Sequence, residues 1–209
     1  MRIEVEPVDE GLQHGLLALP QPQVPLAEDL HPIIEQADAV VQRKLATSIL
    51  STSGENLETV VVRQLTAKSA TLAVAESCTG GFLAHRLTNV PGVSSVFLAG
   101  YITYSNAAKS AALGVSPATI SKYGAVSKPV ARAMAEGARE KSGATFALAT
   151  TGIAGPGGGS DMKPVGTAYI ALAGGGKTVV RHLFFPTDRE TFKQLASQMA
   201  LNLLRERLA

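Results

Sequence analysis

The chain has 209 residues, of which 45% are hydrophobic and 17% are charged, and this composition is typical of a globular protein that buries its own core. Because 19 basic and 17 acidic residues give a net charge of only +2, no nucleic-acid-binding surface is expected despite a pI of 8.7. The single cysteine excludes an internal disulfide, the start of the chain is acidic, and no segment approaches the roughly 18 apolar residues of a membrane span. We therefore expect a soluble, cytoplasmic protein without a membrane partner.

Two helices and an arm are predicted ahead of residue 70. A short strand at residues 3–5 is followed by a proline-rich linker in which no long regular element can form. From Pro32 onward, apolar residues recur at helical spacing, and a proline suits the first position of a helix. The same spacing over residues 56–67 predicts a second amphipathic helix that leads into the first buried strand.

Residues 71–81, TLAVAESCTGG, combine an apolar run with small polar residues and two glycines. This pattern predicts a buried strand, a tight turn and then a helix. Ser77 lies in the turn, where a serine most often only caps the helix. It can also act as a nucleophile, because the first N–H groups of the helix, from Cys78, Thr79 and Gly80, would form an anion or oxyanion pocket beside it. Cys78 is the alternative nucleophile, although a lone cysteine is more often a small buried hydrophobe.

The rest of the chain alternates predicted helices and strands. In order, we expect a helix over residues 79–88, a strand over 96–104, a helix from Ser105 or Asn106, helices starting at Ser116 and Ser127, a strand over 144–150, and a hairpin of 165–173 with 178–185. A capping box of Thr187 and Glu190 is expected to begin the last helix. The residues that this helix should direct inward are Phe192, Leu195, Met199, Leu203 and Leu204.

This order of elements predicts an α/β fold: a three-layer α/β/α domain with a mixed β-sheet, preceded by a small N-terminal extension. One internal echo adds detail. Residues 145–155, TFALATTGIAG, align without gaps with residues 71–81 and pair Ser77 with Thr151. Two equivalent junctions between a strand and a loop would then face one crevice. The second junction opens a glycine-rich loop over residues 152–166, which is either a mobile turn or a backbone surface that approaches a ligand closely.

A serine nucleophile needs a base, and none of the histidines is well placed to serve Ser77. Lys109 is the candidate, because burial can lower the pKa of a lysine from about 10.4 towards 7 or 8 and leave a neutral amine. It follows an uncharged segment and has Tyr104 and Asn106 nearby in sequence. The alternative is a solvated lysine on a helix surface. The acidic residues show no metal-ligand spacing, so no metal is expected.

Seven motifs in this order resemble the C-terminal domain of the CinA family, which includes nicotinamide mononucleotide (NMN) deamidases. They are AESCTGG (75–81), PGVSSVF (91–97), TYSNAAK (103–109), GAVS (124–127), TGIAGPGGG (151–159), KPVGT (163–167) and FPTDR (185–189). The resemblance implies an amidohydrolase of pyridine nucleotide salvage that converts NMN and water to nicotinic acid mononucleotide and ammonia. It also implies a Ser–Lys mechanism without metal or cofactor, and a homodimer.

The resemblance assigns roles to individual residues. Ser77 is the implied nucleophile, Lys109 the implied base and Tyr104 the implied assisting residue. At the start of the last helix, this chain has Thr187 and Lys193 where the family usually has glycine and arginine. The expected substrate-binding residues are Thr79, Gly80, Gly81, Asn106, Thr151, Gly152, Gly155, Lys163 and Arg189.

The resemblance also divides the chain. Residues 1–25 are an arm or linker, residues 26–56 look like a remnant of the linker subdomain found in longer family members, and residues 57–209 form the amidohydrolase domain. The alternative function is nucleotide binding without catalysis. In a non-catalytic nucleotide-binding module, Ser77 and the glycine-rich loop would only hold a phosphate group.

Overall fold

The computed structural model describes residues 27–45 and 49–209, so the strand predicted at residues 3–5 and the arm lie outside the described residues. The chain divides into two units, residues 1–46 and 47–209. In the first unit, helix α1 spans Ala27–Leu45 and contains Pro32 in its interior. The expectation that Pro32 begins the helix is therefore wrong. At this position in the second turn, the proline leaves the carbonyl oxygen four residues earlier without its helical N–H partner.

The second unit contains the predicted alternation of helices and strands. Among residues 27–45 and 49–209, no helix is long and apolar enough to cross a membrane. The elements of the second unit are α2 Leu57–Ala67, β1 Leu72–Glu76, α3 Phe82–Thr88, a short 3-10 turn Val93–Ser95, β2 Phe97–Ile102, α4 Asn106–Leu113, α5 Pro117–Tyr123, α6 Lys128–Ser142, β3 Phe146–Gly152, β4 Thr167–Ala173, β5 Val179–Phe184 and α7 Arg189–Leu208.

The five strands form one mixed sheet in the order β2-β1-β3-β4-β5. Strand β1 pairs in parallel with β2 and β3, whereas β4 is antiparallel to both β3 and β5. The predicted mixed sheet and the predicted hairpin are confirmed. The β1–β3 ladder ends with Glu76 beside Thr150, and Ser77 and Thr151 are the next residues in the two segments. The sequence echo therefore has the same offset as the pairing of the two strands.

Helices cover both faces of the sheet, as the predicted three layers require. On one face, larger side chains of β1 and β3, such as Leu72, Val74 and Leu148, pack against α2, α3 and α7. On the other face, β1 and β3 present alanines to α4, α5 and α6. The alanine surface lets α6 approach the sheet closely, and small residues also bring helices together. A Cβ atom on Gly137 of α6 would lie 2.0 Å from the carbonyl oxygen of Leu113 in α4.

The start of α7 differs from the predicted capping box. Asp188, rather than Thr187, is the N-cap, and its carboxylate accepts hydrogen bonds from the N–H groups of Glu190 and Thr191, both at 3.0 Å. Hydrogen bonds from Thr191 and Glu190 hold the pKa of the Asp188 carboxyl at about 2. A carboxylate is favoured here because it carries a full charge beside the positive end of the helix.

The buried face of α7 also differs in part from the prediction. Phe192, Leu203 and Leu204 are buried, as predicted, but Leu195 and Met199 are 38% and 36% exposed. The residues that take their places against the sheet are Ala196 and Ala200. Hydrophobicity alone favoured the larger residues, whereas close packing of α7 on the sheet requires the smaller ones.

Candidate active site

A cavity of about 210 Å³ lies where β1 and β3 end. Because these strands are parallel neighbours, their carboxyl ends meet at the same edge of the sheet. The cavity is lined by Ser77, Cys78, Tyr104, Lys109, Ala125, Val126, Thr151, Gly152, Ala154 and Arg189. The expected meeting of two equivalent junctions in one crevice is thus confirmed, since Ser77 and Thr151 both line it. Ala125 and Val126, which follow α5, were not predicted site residues, because they carry no distinctive chemical group.

Ser77 and Lys109, which are 32 residues apart, are hydrogen-bonded in this cavity. The Nζ atom of Lys109 lies 3.0 Å from Ser77 Oγ and donates hydrogen bonds to the carbonyl oxygens of Thr103 at 2.7 Å and Tyr104 at 3.3 Å. The lysine is only 1% exposed, and none of the ion pairs among the described residues includes it. The alternative of a solvated lysine is therefore wrong.

The position of Lys109 favours its neutral amine. Burial lowers the pKa of the lysine below its ordinary value, because a buried ammonium loses its hydration. The side chain also comes from the first turn of α4, whose N-cap Ser105 accepts a hydrogen bond from the Ala108 N–H at 3.0 Å. The positive end of a helix is an unfavourable place for a cation. Lys109 thus has the properties of a base that can take a proton from Ser77.

Cys78, the alternative nucleophile, has the opposite electrostatics. Burial raises the pKa of its thiol to about 12, so the thiol stays protonated at neutral pH. The side chain packs in a small apolar cluster with Ala154, Phe192 and Ala196. It behaves as a small buried hydrophobe and not as a thiolate nucleophile.

The turn after Ser77 is held by a residue that the sequence analysis did not consider. The carboxylate of Glu76 accepts hydrogen bonds from the N–H groups of Gly81 at 2.9 Å, Leu83 at 3.1 Å and Ala84 at 2.8 Å. Helix α3 begins at Phe82 instead of residue 79, and the N–H groups of Leu83 and Ala84 in its first turn are bonded to this carboxylate, so they are not available to a ligand. The signal in the sequence was an acidic residue at the end of an otherwise apolar strand.

Two of the three expected N–H donors beside Ser77 remain available. The Gly80 N–H donates to the carbonyl oxygen of Ser77 at 3.2 Å. In the described part of the chain, no hydrogen bond is donated by the backbone N–H of Cys78 or Thr79. These two groups are therefore the candidates for stabilising an oxyanion formed next to Ser77.

The two threonines of the predicted site have structural partners. Thr79 is fully buried, and its hydroxyl lies 2.7 Å from the hydroxyl of Thr150, so its side chain does not face the cavity. Thr151 donates to the carbonyl oxygen of Ala125 at 3.0 Å and thereby fixes that segment against the cavity. A Cβ atom on Gly152 would lie 2.7 Å from the carbonyl oxygen of Thr167, so this position requires glycine for packing.

Arg189, the first residue of α7, borders the cavity on its open side. Its guanidinium donates to the carbonyl oxygen of Gly155 and to the hydroxyl oxygen of Tyr104, each at 3.0 Å. None of the ion pairs among the described residues neutralises its charge. Arg189 also lines an adjoining cavity of about 430 Å³, together with Phe82, Glu190, Lys193 and Gln194.

Some expected binding residues do not line the cavity around Ser77. Lys163, on the glycine-rich loop, donates a hydrogen bond of 2.7 Å to the carbonyl oxygen of Tyr123 at the end of α5. Asn106 borders a separate open groove of about 710 Å³ on α4 and α5. Gly80 is exposed, and the N–H of Gly81 is bonded to Glu76.

Comparison with known proteins covers most of the chain. Residues 54–208 match the model of the CinA C-terminal domain family. A CinA-like protein from Syntrophus aciditrophicus is 49% identical over 179 residues, which are 85% of this chain and 42% of the relative. A CinA-like protein from Geotalea daltonii is 51% identical over 164 residues, which are 78% of this chain and 40% of the relative. The chain thus spans less than half the length of these relatives.

Solved structures share the fold. The competence/damage inducible protein from Agrobacterium tumefaciens is 39% identical with a TM-score of 0.69, covering 71% of this chain and 91% of that chain. A CinA superfamily protein from Escherichia coli is 35% identical with a TM-score of 0.70, covering 77% of this chain and 97% of that chain. The α/β architecture described above is therefore that of solved proteins with clear sequence similarity.

Proposed function

The chain belongs to the family of CinA C-terminal domains, and on this basis we propose that it is an amidohydrolase that converts NMN and water to nicotinic acid mononucleotide and ammonia. The reaction belongs to pyridine nucleotide salvage, with Ser77 as the nucleophile and Lys109 as the base. The observation that carries the proposal is the contact of 3.0 Å between Lys109 Nζ and Ser77 Oγ in a cavity at the strand ends.

The contacts of Lys109 suit a neutral amine, which has two N–H groups and one lone pair. The carbonyl oxygens of Thr103 and Tyr104 accept the two N–H groups, so the lone pair can face Ser77 Oγ. The serine proton moves to Nζ while Oγ bonds to the carbon of the substrate carboxamide. Charge separation is small until attack begins, because neither partner needs to be ionised beforehand.

The tetrahedral intermediate then collapses as Lys109 returns the proton. The negative charge on the former carbonyl oxygen is stabilised by the N–H groups of Cys78 and Thr79. The Lys109 ammonium returns its proton to the amide nitrogen, the C–N bond breaks, and ammonia leaves. The same amine then takes a proton from water while the water oxygen attacks the acyl ester. The bond between the acyl carbon and Ser77 Oγ breaks, the Lys109 ammonium returns the proton to Oγ, and the carboxylic acid leaves.

Tyr104 is suited to assist at the open side of the cavity. Its hydroxyl oxygen accepts a hydrogen bond from Arg189, so the hydroxyl proton remains available for the substrate. The backbone carbonyl of the same residue accepts from Lys109 at 3.3 Å. Tyr104 thus connects the base with the mouth of the cavity.

Arg189 is the best-placed group for the substrate phosphate. The cavity of about 210 Å³ is smaller than the roughly 300–1,000 Å³ of common ligand pockets, so it suits only the reacting part of a nucleotide. Arg189 borders this cavity and the adjoining one of about 430 Å³, where Lys193 supplies a second cation. Lys163 is less suited, because its amine is already bonded to a carbonyl oxygen outside the cavity.

The test is ammonia release by the purified protein with NMN as substrate. We expect turnover by the wild type, no turnover by Ser77→Ala, and unchanged turnover by the matched control Ser121→Ala on the surface of α5. Binding of NMN, measured by calorimetry, should survive in Ser77→Ala, since only the attacking atom is lost. Binding of NMN by the wild type without ammonia release would instead indicate a nucleotide-binding module.

A further inference from the structure

We propose that Glu76 is a positioning residue that fixes Ser77 and Lys109 relative to each other, through its carboxylate and its backbone carbonyl group. The inference rests on the proposed amide hydrolysis for its kinetic part. It rests on the structure alone for the claim that one buried carboxylate fixes the turn after Ser77.

The carboxylate of Glu76 is almost completely enclosed. The residue is 1% exposed, and none of the ion pairs among the described residues includes it. Its Oε2 atom accepts from the N–H groups of Gly81 and Leu83, and Oε1 accepts from Ala84. Hydrogen bonds from N–H groups to an ionised acceptor are stronger than neutral ones, and the positive end of α3 further stabilises the charge.

These contacts determine which N–H groups of the turn remain available. The N–H groups of Gly81, Leu83 and Ala84 are bonded to Glu76, and that of Phe82 is bonded to the carbonyl oxygen of Thr79. In the described chain, the N–H groups of Cys78 and Thr79 donate no hydrogen bond. Gly81 adopts a φ of +97°, a conformation that L-residues with a side chain rarely adopt. The carboxylate therefore fixes the far end of a turn whose near end is Ser77.

The backbone of Glu76 extends the same control to the base. Its carbonyl oxygen accepts a hydrogen bond from the N–H of Thr103 at 2.8 Å. The carbonyl oxygen of Thr103 in turn accepts from Lys109 Nζ at 2.7 Å. A shift of Glu76 would thus change the position of Ser77 and of Lys109 together.

A glutamine cannot replace this carboxylate without loss. It offers one acceptor oxygen and an NH2 group that only donates, so at least one of the N–H groups of Gly81, Leu83 and Ala84 would lose its partner. Glu76→Gln keeps the volume of the side chain, and so it tests the hydrogen bonds and not the packing. Glu58→Gln is the matched control, because Glu58 accepts from Arg86 of α3 at 2.7 Å but does not touch the turn.

The experiment compares the wild type, Glu76→Gln and Glu58→Gln by amide hydrogen exchange and by kinetics with NMN. We expect the exchange of the Gly81, Leu83 and Ala84 N–H groups to rise at least about 10-fold in Glu76→Gln only. We expect kcat to fall at least about 10-fold in that variant, with KM changed less than about 3-fold, because misplacement of reacting groups affects the chemical step. If Glu76 contributed only to general stability, Glu76→Gln and Glu58→Gln would change the exchange rates and kcat to a similar extent.

Three results would overturn the proposal: unchanged exchange in Glu76→Gln, an unchanged kcat, or an equal loss of kcat in Glu58→Gln. If the wild type does not deamidate NMN, the proposed function fails but the positioning role is still decided. In that case, acylation of Ser77 by p-nitrophenyl acetate, corrected for the background of Ser77→Ala, replaces the kinetic arm. Acylation that is slower in Glu76→Gln but not in Glu58→Gln supports the proposal. Equal rates in the wild type, Glu76→Gln and Glu58→Gln contradict it.

Discussion

Arg189 donates a hydrogen bond of 3.0 Å to the hydroxyl oxygen of Tyr104, and this contact joins the first residue of α7 to the segment that follows β2. A second hydrogen bond of 3.0 Å connects Arg189 to Gly155 in the glycine-rich loop. One cation of α7 thus contacts two other parts of the chain at the mouth of the cavity. Its charge has no carboxylate partner among the described ion pairs, so it is available to an anionic substrate group.

Arg189→Ala should weaken the processing of NMN more than that of nicotinamide riboside, which lacks only the phosphate. A hydrogen bond to a charged group contributes about 1.5–3 kcal/mol, so kcat/KM for NMN should fall roughly 10- to 150-fold. The riboside should lose much less. Arg181→Ala is the control, since Arg181 is exposed on β5 and lines neither cavity. Equal losses with both substrates would place Arg189 away from the phosphate.

The phosphate itself should determine much of the selectivity, because a carboxamide group alone offers little to distinguish one amide from another. For the wild type, we expect kcat/KM for nicotinamide riboside to be at least about 100-fold below that for NMN, which corresponds to about 2.7 kcal/mol. Free nicotinamide should be a still poorer substrate. Initial rates of ammonia release with the three compounds test this. Equal efficiency with NMN and the riboside would contradict the proposed anion contacts.

The pH dependence of the rate should report the state of Lys109. Burial lowers its pKa, and only the neutral amine can accept the proton of Ser77, so activity should fall as the pH falls through this lowered value. Lys109→Arg should be nearly inactive, because a guanidinium keeps its proton at neutral pH. Lys122→Arg, an exchange on the surface of α5, should keep the wild-type rate. A flat kcat/KM profile from pH 9 down to pH 5 would exclude Lys109 as the base.

The same buried lysine should make stability depend on pH. Its native pKa lies below the unfolded value of about 10.4, so between the two values the unfolded chain binds more protons. The free energy of unfolding should therefore rise with pH in this window, by at most about 1.4 kcal/mol per pH unit from this group. Urea denaturation at pH 7 and pH 9.5 measures the effect. Lys109→Met should remove this part of the rise, whereas Lys122→Met should retain it.

Much of the architecture could be predicted from local sequence patterns. Alternation of apolar strands with amphipathic helices predicted the α/β fold, and the turn residues Ser105, Ser116 and Ser127 marked the starts of α4, α5 and α6. The echo between residues 71–81 and 145–155 predicted that two equivalent junctions face one crevice, and its offset equals that of the β1–β3 ladder in the structure. These features depend on hydrogen bonds and periodicities within a few residues, which a sequence displays directly.

Competition between nearby groups was harder to predict. The sequence favoured a capping box of Thr187 and Glu190, but Asp188 lies between them and its carboxylate accepts both N–H groups at the start of α7. Similarly, the local pattern favoured Ser77 as the N-cap of α3. In the structure, Glu76 at the end of β1 accepts the N–H groups there, because the turn places its carboxylate beside the start of the helix.

The order of the elements could be predicted from local patterns, and the resemblance to the CinA family supplied the roles expected of Ser77 and Lys109. The burial of the lysine against the serine, and the positions of Lys163 and Asn106 outside the cavity, became known only from the three-dimensional structure. Local patterns cannot supply this, because burial and contact between distant residues depend on how the layers pack. A lysine on an amphipathic helix has the same local pattern whether its amine meets water or a serine.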